Sequence, residues 1–148
     1  MSLKTEIRSA LTTAIKNNNK DEKRAIRSIL ANLKNVEIDK QSSLEELDIL
    51  AILHKEIKMC SETIEEALKY NRQDIIDEAK TDIEIISRFL PKSLNDEELR
   101  AIIVSTINEV GATSMKEMGS VMKLIIPKVA GKASNSQLSA LVKEYLHS

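Results

Sequence analysis

An all-α fold is expected of this chain, and three observations lead there. Aromatic residues make up 2 % of its 148 residues, with no Trp, so a core must come from Ile, Leu, Val, Ala and Met, which suits helices packed on helices. Apolar positions recur at intervals of three and four, and no run alternates as a half-buried strand would. Capping pairs stand ahead of these runs: Asn19 with Glu22, Ser43 with Glu46, Asn95 with Glu98, Ser114 with Glu117 and Ser134 with Gln137.

A first helix is expected over residues 3–17, stopped by Asn17-Asn18-Asn19. The second carries Ile26, Ile29, Leu30, Leu33 and Val36 on one face. In the third, Leu50, Leu53, Ile57, Cys60, Ile64 and Ala67 follow a 3-4-3-4-3 spacing, the seam of a helix aligned with a partner. That partner repeats the spacing at Ile76, Ala79, Ile83, Ile86 and Leu90, and the intervening "YNRQD" is short enough for antiparallel neighbours. Residues 44–90 are therefore expected to form a long helical hairpin. Pro91 disfavours helix at Leu90, and "PKSLN" is the expected boundary. It separates a four-helix N-terminal region, residues 1–92, from a three-helix C-terminal module, residues 93–148.

In the module, Leu99, Ile102, Ile103, Ile107 and Val110 define a helix closed by a left-handed stop at Gly111. The next is expected to turn Met115, Met118, Met122 and Ile125 inward and to end at Pro127 and Gly131. Gly119 inside it is explained by close approach of a neighbouring helix. The last helix packs back through Leu138, Leu141, Val142 and Tyr145.

The net charge of −1 conceals a partition. Residues 1–40 hold nine Lys/Arg against five Asp/Glu, residues 41–90 six against twelve, and residues 91–148 seven against six. Within residues 111–148, Lys116, Lys123, Lys128, Lys132 and Lys143 face only Glu117 and Glu144. No apolar run approaches the roughly 18 residues of a membrane span, so no membrane partner is expected. A lone Cys60 excludes an internal disulfide and fits a reducing compartment. The basic, amphipathic start loosely resembles a mitochondrial presequence, but Glu6 interrupts it and the pattern suits an ordinary first helix. A cytoplasmic location is expected.

No catalytic set stands out. His54 and His147 lie in different parts of the chain, and Cys60 occupies a seam position, whereas a reactive thiol needs an exposed electropositive niche. No Cys/His spacing suits zinc, and no cofactor is expected. Glu65-Glu66 and Asp77-Glu78 are sequence neighbours, so they diverge on a helix and cannot share a proton.

The stretches "RSILANLKNVEI", "NRQDI" followed by "IEIISRFLP", "MGSVMKLIIPKVAGKAS" and "LVKEYL" resemble the YqeY-like family over almost the whole chain. That family is akin to the tail domain of the B subunit of the glutamine-dependent aspartyl/glutamyl-tRNA amidotransferase. Some positions depart from its pattern. Ser134-Asn135 stands where Asp-Gly is usual, Cys60 where Arg is usual, and Lys132 where Arg is often found, which keeps the charge but loses bidentate phosphate geometry.

The resemblance implies a noncatalytic accessory that binds tRNA or other structured RNA, with a label of carbon-nitrogen ligase with glutamine as amide donor inherited through kinship. Amide transfer needs an activated nucleophile and an oxyanion site, and neither is apparent. The expected RNA-binding residues are Lys116, Lys123, Lys128, Lys132 and Lys143, around the turn before the last helix, where the helix start also attracts anions. With Tyr145 the only aromatic after Phe89, recognition would be of folded shape and backbone, without DNA sequence readout. The alternative is an adaptor whose acidic hairpin docks on a basic partner such as a tRNA synthetase or an amidotransferase.

Overall fold

The computed structural model describes residues 2–146. These form seven α-helices and one 3-10 turn, with no strand among the described residues, so the all-helical class holds. The chain divides into two compact units, residues 1–90 and 91–148, each with its own core.

The N-terminal unit contains α1 (Leu3–Lys16), α2 (Lys20–Lys40), α3 (Glu46–Lys69) and α4 (Gln73–Ser87). Asn19 begins α2 as read from sequence, its side chain accepting the Glu22 N–H at 3.1 Å. Lys4 near the start of α1 meets Glu37 near the end of α2, so the two helices run antiparallel. Ile7, Ile26, Ile29, Leu33 and Leu53 fill the centre of the core. Each such side chain contributes about 1.5–3 kcal/mol on burial. Along the α3–α4 hairpin, Leu50, Leu53, Ala67, Ile76, Ala79 and Ile86 are buried, while Ile57, Cys60, Ile64 and Ile83 are half-buried. Arg24 of α2 ties the layers together through Asp82 at 2.7 Å and Glu78 at 3.3 Å on α4.

The start of α3 differs from expectation. Ser43 is not its cap: Glu45 is, and Asp48 accepts the Glu45 N–H at 3.0 Å while pairing with Lys40 at 3.1 Å. Two charge-assisted contacts at Asp48 outweigh one neutral hydroxyl cap.

The C-terminal unit contains α5 (Asp96–Val110), a 3-10 turn (Met115–Glu117), α6 (Met118–Val129) and α7 (Asn135–Leu146). Gly111 closes α5 at φ +73°, as its place after the apolar run predicts. Leu99, Ile103, Val121, Ile125, Leu138 and Val142 are fully buried together. Four expectations are corrected here. Pro127 sits inside α6, near its end, and the helix continues to Val129 before Ala130 turns left-handed at φ 50°. Pro127 removes the amide bond to the Lys123 carbonyl and crowds it, yet the helix runs on for two residues and Ala130 donates to Ile126 beyond it. A Cβ added at Gly119 would meet nothing within 4 Å, so no close helix approach explains that glycine. Met115 lies in the 3-10 turn and is exposed, because the Ser114–Glu117 box caps that turn and not α6 itself. Tyr145 likewise faces outward, and Leu146 takes the core position.

Candidate nucleic-acid interface

The turn from α6 to α7 is built by backbone bonds. Ala130 donates to the Ile126 carbonyl at 3.1 Å and Lys132 to that of Val129 at 3.1 Å, which returns the chain sharply. The Lys132 carbonyl accepts from Leu94, which fastens the turn beside the start of α5. Ser134 then caps α7, its hydroxyl accepting the Gln137 N–H at 3.1 Å. The first amides of α7 have no intrahelical acceptor, as at any helix start, and the dipole there favours anions.

Of the five lysines expected to bind RNA, the structure brings Lys128 and Lys132 to this corner and spreads the others. Lys116 lies in the 3-10 turn, Lys123 in mid-α6 and Lys143 in the last turn of α7. Lys123 precedes Lys128 by five residues, about 140° around the helix, and Lys143 lies about 12 Å along α7 from its start. The set therefore borders α6 and α7 instead of converging on one point.

Their electrostatic states differ. Lys128 is held on α5, its ammonium donating to Glu109 at 2.5 Å and to the buried Thr106 hydroxyl at 3.3 Å. Lys116, Lys123, Lys132 and Lys143 are exposed, and none has a carboxylate partner among the described residues. The nearby acidic groups are occupied. Glu117 accepts the Thr113 and Ser114 amides at 2.7 and 2.8 Å, and the Ser114 bond first, then that from Thr113, lowers its pKa. Glu144 faces Arg100 at 3.8 Å. Asp96, Glu97 and Glu98 form the first turn of α5, where they offset the positive end of that helix dipole.

Spacing in the sequence did not reveal the partners Glu109 and Thr106. They lie 19 and 22 residues from Lys128, on a different helix, and only the α5–α6 packing joins them.

The other residues weighed for chemistry stand apart. Cys60 is half-buried on α3, and burial first, then the charges of Asp82 and Glu56, raises its thiol pKa, the opposite of nucleophilic activation. His54 is half-buried beside Leu53, and His147 lies outside the described residues. Among the described residues no group of three His, Cys, Asp or Glu side chains is placed to hold a metal ion. No helix among them is long and apolar enough to cross a membrane.

The described residues thus combine an all-helical fold with exposed lysines along α6 and α7. Residues 4–146 match the family model described as Yqey-like protein, and the chain belongs to that family. It is similar to proteins named altered inheritance of mitochondria protein 41, mitochondrial, from three organisms. The match to the Clavispora lusitaniae protein is 30 % identical and covers 95 % of this chain and 83 % of the relative. That to the Vanderwaltozyma polyspora protein is 26 % identical, covering 84 % and 71 %. For the Lachancea thermotolerans protein a shorter segment is 39 % identical, covering 46 % of this chain and 37 % of that relative's length. These names overturn the expected cytoplasmic location, since all three relatives are named as mitochondrial proteins.

Proposed function

We propose that this protein is a noncatalytic accessory that binds tRNA or similarly structured RNA through its C-terminal unit. One observation supports this above others: Lys116, Lys123, Lys132 and Lys143 are exposed and unpaired among the described residues, while Glu109, Glu117 and Glu144 are engaged by Lys128, backbone amides and Arg100. Uncompensated positive charge thus persists along α6 and α7 in a unit whose formal charge is near neutral. The contacts would be to phosphates, because α6 and α7 offer Tyr145 as their one aromatic side chain. Lys128 is a weaker contributor, since reaching a phosphate means leaving Glu109. That exchange is small, as exposed ion pairs are worth about 0–1 kcal/mol. From the names of the relatives we carry over a mitochondrial setting. The test is retention of tRNA on filters by the native chain at low salt, and its loss when Lys123 and Lys132 are changed to Glu. Retention that survives those changes contradicts the assignment.

A second function, docking on a basic protein partner, draws on the N-terminal unit. A cleft of about 310 Å³ between α2, α3 and α4 is lined by Glu56, Asp74, Glu78 and Asp82, and a basic partner there would have to displace Arg24 from Glu78 and Asp82 and Arg72 from Asp74. Recovery of partners from lysate separates the two: nuclease removes partners bridged by RNA and leaves those held by the cleft.

A further inference from the structure

We propose that the groove between α1 and α2 is a second phosphate-binding surface for RNA, which rests on the assignment of RNA binding to this protein. The groove holds about 340 Å³, with Lys4 and Arg8 on one wall, Lys34 and Glu37 on the other, and Leu30 in its floor. Glu37, the one carboxylate there, is engaged by Lys4. Arg8 and Lys34 are exposed and have no carboxylate partner among the described residues. Arg27, also exposed and unpaired among them, precedes Lys34 by seven residues and so lies within about 20° of it on α2. Several other cations of the unit are taken by carboxylates. Arg24 is taken by Asp21, Glu78 and Asp82, Lys40 by Asp48, Arg72 by Asp74 and Arg88 by Glu22 and Glu84. Part of the positive surplus of the first forty residues is therefore left at this groove, and the rest, Lys16, Lys20 and Lys23, lies at the α1–α2 turn.

The shape and chemistry favour a phosphodiester backbone. Cations on two facing walls suit a convex ridge of phosphates. The Arg8 guanidinium adds a planar fork that matches phosphate oxygens two at a time. A bilayer is flat and would need apolar groups projecting from the rim, whereas Leu30 and the fully buried Leu33 form the floor. Neither helix has an aromatic residue to stack on bases, so the surface reads backbone geometry.

The experiment measures filter retention of a mixed tRNA preparation by the full chain over a range of salt. Arg8→Glu with Lys34→Glu is expected to weaken binding at least about tenfold and to make the salt slope shallower by about two. Glu37→Gln releases Lys4 and is expected to tighten binding, a gain that no unfolded variant produces. The pair Lys123→Glu with Lys132→Glu is measured in parallel. If it weakens binding while the Arg8/Lys34 pair and Glu37→Gln change nothing, the groove assignment is overturned and the C-terminal assignment stands. If only the groove variants act, the groove stands and the C-terminal assignment falls. Should polyglutamate or vesicles of anionic phospholipid bind in an Arg8- and Lys34-dependent way while tRNA does not, RNA is excluded as the occupant.

Discussion

Glu56 is a carboxyl held where its charge is poorly solvated. It is 9 % exposed on α3, and burial is the main cause that raises its pKa above the ordinary 4.5, with a Ser28 hydrogen bond opposing and Asp82 adding to the rise. Because the folded state binds this proton more tightly than the unfolded chain, the associated stability is fully present below about pH 4.5 and is lost as pH rises through the folded value. Glu56→Gln is accordingly expected to raise stability at neutral pH and to match the wild type near pH 4, which urea titrations at the two pH values check. At Lys128 the contact with Glu109 sets a different expectation. Lys128→Met should reduce tRNA retention less than Lys132→Met, and equal losses by filter binding would contradict the inequality between the two lysines.

At the scale of elements, the α6–α7 region holds two residues that fit their backbone poorly. Ala130 adopts a left-handed conformation that disfavours a Cβ, so Ala130→Gly should stabilise by about 1 kcal/mol. Gly119 lies in α6 with open space around it, so Gly119→Ala should add about 0.5–1 kcal/mol. Both are read as shifts in urea midpoint, and destabilisation by either would contradict the local geometry. These elements also mark how much of the fold is legible in sequence. The heptad-like seam of α3 and α4, the Asn19 and Asn95 caps and the Gly111 stop are periodic or local signals, and each appears as expected. What escapes is decided by contacts distant in sequence: Lys40 and Asp48 shift the start of α3, and Leu94 bonding to Lys132 shapes the turn that a late proline alone does not make. For the candidate site, sequence names lysines and a region but neither their spread along α6 and α7 nor the pairing of Lys128, because ion pairs between helices leave no spacing signature.

For the whole molecule, charge is distributed by occupancy more than by composition. Between α2 and the hairpin, Arg24 is taken by Glu78 and Asp82 and Arg88 by Glu22, whereas Arg8 and Lys34 in one unit and Lys116, Lys123, Lys132 and Lys143 in the other are among the cations that remain uncompensated among the described residues. A net charge near zero therefore coexists with locally uncompensated cations, and the reach of such charges is about a Debye length, 8–10 Å at moderate salt. Family membership and the all-helical fold do not depend on this distribution, while RNA binding does.

The most direct test is the salt dependence of tRNA retention by the native chain and by a variant with Lys116, Lys123, Lys132 and Lys143 all changed to Gln. The wild type should lose affinity with rising salt along a slope steeper than the variant's by about 3 to 4, four phosphate contacts at about 0.9 each. Equal slopes, or a well-folded wild type that retains no tRNA at low salt, would contradict the assignment.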